Sequence, residues 1–441
     1  MVKAIKFFKS NFYNSNWIYV LLLIVVFILT MVRQNNITNF DCEICSDKAG
    51  YYMYLPALFH MGFKAENYPD GFAQQHGGGK GFRINREENK VITKFTSGIA
   101  ILQLPFYTMG FVIEKLFSLQ VEPYSDYYMI FINIGAAFYL VLGLFFLRKW
   151  LNFYVSDRSS FWTILVIFFG TNLYYYTLDE SLMSHMYSFT LFSMLLYGLK
   201  AFANTGQYKY FILFIIPMSF AILIRPTNIL FAIIALLIDV RNFKELRKKL
   251  MPLLSPVYII PSIIFFLLII TPQLFYWKYA YGSYVVWSYS GEGFSNWDYP
   301  KFLIVWFSPQ GGLFPYTPIM LLSLLFLGFS FSKIKNSWLI VLTFFVVSYM
   351  CASWIRPEFG ICNFGKRPMV EYLPILMFPI AYIFEYYKTY HKVLKYTLLS
   401  SIAFFVIYNQ LLFGAFNTCF FGHTWEWSKF GSILGKAFFI T

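Results

Sequence analysis

The chain has 441 residues, of which 58% are hydrophobic and only 13% charged, with a formal net charge of +14. An average soluble domain is about 25% charged, so the composition excludes one. The Lys and Arg residues sit mostly in short segments between apolar runs, where they set membrane orientation, so the positive balance is not a nucleic-acid footprint. Apolar runs of roughly 17 to 22 residues recur along the whole length, the signature of an all-α polytopic membrane protein forming one transmembrane domain over 1–441. The five cysteines are scattered and imply no disulfide framework. The Cys42/Cys45 pair reads equally as a local disulfide or as small residues.

In chain order, Lys3, Lys6 and Lys9 precede the first apolar run, about Trp17 to Met31, and place the N-terminus in the cytoplasm. That run is long and lacks a small-residue cleavage site, so it reads as a retained anchor. A long outer loop follows, 32–125. It opens on DCEICSDKAGYYMYLPALFHM, Asp41 to Met61, where Asp41, Glu43 and Asp47 cluster just beyond a membrane-length helix. Ser46 is expected to cap a helix with Asp47 in its first turn, which puts Asp47 and Tyr51, four apart, on one face. A solvated loop with capping carboxylates is the alternative. Within the polar segment 67–94, HGGGKGF (His76 to Phe82) has Gly81 after Lys80 where a phosphate loop needs Ser or Thr, and no strand precedes it; a mobile outer loop is expected.

Thr96 to Phe117 is long enough to cross, but orientation argues against it. If it crossed, Arg148, Lys149, Arg158 and the cluster Arg241, Lys244, Arg247, Lys248 and Lys249 would all fall outside. The reading adopted is a juxtamembrane helix lying along the outer surface or only partly inserted. The later spans are then expected at about 127–147, 159–177, 183–203, 210–224, 226–240, 253–272, 315–331, 337–354, 370–386 and 396–415, eleven in all with the first. Two further outer loops follow, an aromatic one over 272–315 and a basic one over 355–369. No internal repeat of the kind found in inverted-repeat transporters is evident.

The polar chemistry therefore gathers on the outer face. A carboxylate at the mouth of an apolar cavity makes a general base, because partial desolvation raises its proton affinity. Asp47 suits that role, and Asp41 or Glu43 would replace it. Arg367 with Lys366, then Arg225, then Arg356 are the candidates for holding an anionic headgroup, since arginine grips phosphate oxygens with a bidentate fork. For each, the alternative is a snorkelling charge or an ion pair with Glu358, Glu371 or Asp179. Asp179, Glu180 and His185 form a second polar turn, which reads as an acidic site, a metal site or simply a turn. No paired-histidine spacing supports a metal, and His185 alone is commonly a packing histidine. Trp287 and Tyr289, in the aromatic loop, suit stacking on a sugar or covering a lipid chain.

SDKAGYY, with Asp47 four before Tyr51, resembles the DExxY-type motif of GT-C fold glycosyltransferases, among them the protein O-mannosyltransferases and the lipid A aminoarabinose transferases. The similarity continues in order through the surface helix at Thr96 to Phe117, the RPT of Arg225 to Thr227, SPQGGLFPYTP of Ser308 to Pro318 and FGKRPMVEYLP of Phe364 to Pro374. Two departures stand: Ser46 precedes Asp47, and Lys48 replaces the second acid that often follows. The resemblance implies a GT-C-like bundle that takes a monosaccharide from a polyprenyl-phosphate carrier, with no cofactor or metal, and delivers it to a hydroxyl of a lipid, glycan or protein. Asp47 would be the base of an inverting attack; Arg367, Lys366 and Arg225 would meet the leaving phosphate, and Tyr51, Glu180 and His185 would line the substrate site. A site facing the periplasm across a bacterial inner membrane is expected. A transporter or lipid flippase, and a glycan polymerase or ligase using a diphosphate-linked donor, are the competing readings.

Overall fold

The computed structural model describes residues 17–35, 44, 46–77, 80–360, 363–416, 419–420 and 422–439. Helix dominates among them. The first, α1 (Trp17–Asn35), buries Val26 completely while Leu21, Ile28 and Val32 on its other side stay half-exposed or more. Such a stripe, apolar all round, is stable only where the surroundings are also apolar. A short helix α2 (Asp47–Tyr52) follows, then α3 (Gly98–Leu116), α4 (Asp126–Leu151), α5 (Asp157–Gly170), α6 (Ser184–Thr205), α7 (Tyr208–Ile224), α8 (Ile229–Leu237), α9 (Phe243–Leu253), α10 (Pro256–Tyr281), α11 (Pro318–Phe329), α12 (Ser337–Ser353), α13 (Phe378–Tyr386), α14 (Lys392–Ala415) and α15 (Trp427–Phe439).

Among the described residues, six helices are long and apolar enough to cross a membrane: α3, α4, α6, α10, α14 and the composite Arg367–Tyr386 that ends in α13. Five more are apolar but span only 10–17 residues: Trp17–Arg33 within α1, Tyr208–Ile224, Pro226–Leu237, Pro318–Phe329 and Ser337–Ser353. Eleven crossings are therefore not established by length, and α3, expected at the surface, is itself long enough. Its packing tells more. The Tyr139 hydroxyl donates to the Leu102 carbonyl at 2.8 Å, and that of Tyr127 to the Gly110 carbonyl at 2.8 Å. So α3 runs antiparallel to α4 and accompanies it from Tyr139 only to Tyr127, about 18 Å at helical rise. Helix α10 shows the membrane most plainly: Val257, Ile260, Ile263, Leu267 and Leu268 are all at least half exposed, a surface that water would not tolerate.

Several boundaries differ from expectation. Pro272 lies inside α10, so the aromatic loop begins at Gly282; proline is tolerated in a membrane helix when neighbours satisfy the freed carbonyl. The expected 159–177 span stops at Gly170, where Thr171 turns extended. The segment 67–94 contains a hairpin, Arg83–Asn85 against Lys90–Ile92, docked by α10: the Tyr279 hydroxyl accepts from the Val91 amide at 3.0 Å and that of Tyr276 from the Thr93 amide at 2.8 Å. The expected mobile loop beside it is partly anchored, with Phe82 buried and the Gly81 carbonyl bonded to the Thr93 hydroxyl. Helix α15 was not foreseen. Nor was a disulfide at Cys419, which is disulfide-bonded; Cys42 and Cys45 lie outside the described residues.

Helices α6 and α7 pack most closely at Gly198, where a Cβ would come within 2.7 Å of the Leu213 carbonyl carbon. Gly198→Val should therefore wedge two backbones apart and destabilise the protein by roughly 1–3 kcal/mol. Thermal unfolding in detergent measures this, and a variant that melts with the wild type would contradict the packing.

Candidate functional site

Asp47 opens α2, and the turn before it is not the one expected. Ser46 adopts φ 52° and makes no side-chain cap bond, so its strained backbone rather than its hydroxyl starts the helix. This delivers the Asp47 carboxylate, part-exposed, to Arg367, whose Nη1 lies 3.3 Å from Oδ2. Arg367 is placed by its own segment: Gly365 takes φ +73°, a conformation that side chains resist, and Pro368 then starts the 3-10 turn Arg367–Tyr372.

Glu371, one turn further, is the hub of the site and is almost fully buried. Its Oε1 accepts from Arg225 Nη1 at 2.8 Å and from His185 Nδ1 at 2.8 Å. Arg225 reaches it because α7 ends there: Arg225 is extended at φ −149°, ψ 117°, and Pro226 forbids the helix to continue. His185 is thus buried and bonded, a packing histidine in part, but bonded to the site's central acid.

The turn between α5 and α6 supplies a second ionic layer. Arg33, at the end of α1, grips Asp179 with Nε and Nη2 at 3.0 Å each and donates to the Phe416 carbonyl at 2.8 Å. Lys48 Nζ lies 3.6 Å from Glu180. Burial raises the Glu180 carboxyl above its ordinary range, and Lys48 opposes the rise. That makes Glu180 a better proton acceptor than an exposed carboxylate, within the field of Asp47 and Arg367.

Tyr51 is buried beside them, its ring against that of Phe95. Tyr289 is half-buried, whereas Trp287 stands 57% exposed at the rim. The aromatic loop is tied over the site. Glu292 pairs with Lys94 at 2.5 Å, Ser288 donates to the Lys94 carbonyl, and Asn296 holds the Trp354 carbonyl at 2.6 Å. Beneath the loop lies a small cavity whose polar floor is Arg225 and Glu371. Phe294, Val347, Met350, Trp354 and Phe359 form its walls.

Among the sequence-derived candidates, then, Asp47, Arg367, Arg225, His185, Glu180, Tyr51 and Tyr289 converge. Asp41 and Glu43 lie outside the described residues. Arg356 is exposed and makes no ion pair among the described residues, so it does not join the cluster. Lys366 is buried, but its Nζ donates to the Pro357 carbonyl at 2.5 Å rather than facing Asp47. Lys48 and Arg33 were missed; Glu371 was foreseen only as one of three ion-pair partners for the arginines, which it is for Arg225, and its central role was not. No group of three His, Cys, Asp or Glu side chains among the described residues is placed to hold a metal.

Burial lowers Lys366 to about 8 from 10.5. The folded protein thus carries the full cost of a buried cation below about pH 8 and sheds it as pH rises toward 10.5, where the unfolded chain still holds the proton. Wild type should gain thermal stability relative to Lys366→Met between about pH 7.5 and 10. Parallel melting curves for the two across that range would show the amine to be solvated.

No protein-family model matches the chain, and no curated protein does.

Proposed function

We propose that the protein is a membrane glycosyltransferase that moves a monosaccharide from a polyprenyl-phosphate carrier to a hydroxyl acceptor. The observation that carries this reading is the meeting of Asp47 with Arg367, 3.3 Å apart, next to a cavity with an arginine floor and apolar walls. A lipid phosphate needs that combination, a guanidinium for its oxygens and hydrocarbon-like walls for the first isoprene units. Arg367 is paired with Asp47. A phosphate that takes over the guanidinium frees the carboxylate to accept the proton of the attacking hydroxyl. The new bond forms between the acceptor oxygen and the anomeric carbon, while the carbon–oxygen bond to phosphate breaks and its electron pair leaves with the phosphate. Arg367 and Arg225 stabilise the charge that develops there. Glu371 and His185 hold Arg225 in place, and Tyr51 and Tyr289 shape the sugar side.

The site is read as facing the periplasm across a bacterial inner membrane. The basic clusters at the other ends of the helices support this, as does the disulfide at Cys419, which suits an oxidising compartment. The test is release of free polyprenyl phosphate by the purified protein from a panel of polyprenyl-phosphate sugars, with membrane lipid extract as acceptor. Release that depends on the acceptor supports the transferase. One observation favours a second reading: the interrupted α7–α8 pair with Arg225 at its break has the form of a transporter's discontinuous helix. Saturable lipid binding without turnover of any donor would make that the better account.

A further inference from the structure

A cavity of about 420 Å³ lies away from the acid–base cluster. It is at the other end of α6. His185 opens α6 and Lys200 lines this cavity fifteen residues later, about 22 Å along the axis. Its walls are apolar, with Leu196, Leu199, Phe202, Leu253 and Tyr258 among them, and its rim carries Lys200, Asp239, Glu245, Lys248 and Lys249.

The charges do not balance. Asp239 is already spent on Lys200, on the Tyr154 hydroxyl at 2.7 Å and on Asn336 at 3.1 Å. Glu245 accepts from the Arg241 amide at 2.8 Å, at the start of its own helix. Lys249 is partly buried and donates to two carbonyls at the end of α8, Ala235 at 3.2 Å and Ile238 at 2.9 Å; Asp239 lies within its field but makes no ion pair with it. Lys248 makes no ion pair among the described residues, nor do Arg241, Lys244 and Arg247 on the same short stretch. Two cations therefore face a cavity of ligand size without acidic partners. Burial lowers Lys249 to about 8, with Asp239 opposing the shift and Lys200 adding to it.

The helix that carries these lysines identifies the source of the anion. Helix α9 buries none of its residues fully. Phe243 is 79% exposed and Met251 more than half exposed, as are Leu254 and Val257 just beyond its end, which is how a helix lies in a lipid interface. A cavity that opens beside such a helix opens to lipid headgroups. We propose that this cavity is a binding site for an anionic phospholipid, with the phosphate on Lys248 and Lys249 and the upper acyl chain against Leu199, Phe202 and Tyr258. This site is separate from the proposed donor site and does not depend on it.

Binding of phosphatidylglycerol and of phosphatidylcholine to the detergent-purified protein, followed by native mass spectrometry, tests the proposal. Phosphatidylglycerol should bind wild type preferentially. Lys248→Ala should weaken it about fivefold, and removal of both lysines more, since each basic residue at a lipid surface contributes about that factor. Lys249→Met also loses the bonds that close α8 and risks misfolding, so Lys248→Ala, whose side chain holds nothing else, is the deciding variant. Arg367→Gln should leave the binding unchanged, which separates this site from the outer one. Equal affinity of wild type and Lys248→Ala, or equal binding of the two lipids, would overturn the proposal. So would loss of binding in Arg367→Gln, or displacement by millimolar inorganic phosphate, which would mark a site for free anion.

Discussion

Asp47→Asn should abolish measurable sugar transfer, lowering the rate by roughly two to four orders of magnitude, while the purified protein melts close to the wild type. The amide is nearly isosteric and still accepts a hydrogen bond from Arg367, and the pair it replaces is part-exposed, with side chains 29% and 21% accessible. A surface-like pair of that kind contributes little to stability. What the amide cannot do is take a proton from an attacking hydroxyl. Release of polyprenyl phosphate, measured beside a melting curve, separates the two effects. A variant that keeps its rate would move the base to Asp41, Glu43 or Glu180, the last a half-buried acid whose proton affinity is raised in the same site, and single substitutions of the three would show which variant is inactive.

The largest stability effect should come from Glu371→Gln. Glu371 is 3% exposed and answers both Arg225 and His185, so the amide leaves a guanidinium at the break of α7 with no counter-charge. Stranding one member of a buried pair costs about 3–5 kcal/mol. Arg225 keeps 27% of its side chain accessible, which places the loss toward the lower figure. A thermal or denaturant midpoint in detergent reads it directly. The double variant Glu371→Gln with Arg225→Leu should recover part of the loss, because the unpaired charge is then gone. If the double variant is as unstable as the sum of its parts, the pair is not the unit that holds the α6–α7 ends together.

How far these residues could be seen beforehand depends on the physics that places each. Apolar runs reveal helices because hydrocarbon length is a one-dimensional requirement, and most run boundaries fall within a few residues of the helices found. Arg225-Pro226 announced a break for a local reason, and Gly365-Lys366-Arg367-Pro368 announced a turn for another. Pairings across the chain obey no such local rule. Asp47 meets Arg367 at a separation of 320 residues, and Arg33 meets Asp179 only because α1 packs beside the turn between α5 and α6. Lys366 and Arg367 are adjacent and equally basic, yet the 3-10 turn sends one toward Pro357 and the other toward Asp47. The hairpin at 83–92 was missed because its strands are three residues each, too short for an alternating pattern to stand out. Trp287 and Tyr289 are close neighbours in a loop, and only tertiary packing makes one an exposed rim residue and the other a half-buried one.

The Arg33 contacts carry a consequence for biogenesis. The residue leaves the ribosome well before its partners, Asp179 by 146 residues and Phe416, whose carbonyl it holds, by 383. A guanidinium at the end of a membrane helix cannot settle until both are present, so α1 must wait, with its charge in the headgroup region, until Phe416 has been made. Domains usually complete themselves from the N-terminus onward. Here the end of the bundle that holds the acids and arginines closes last, and a ribosome stalled anywhere before Phe416 leaves behind a chain whose helices are inserted but whose site has not yet been assembled.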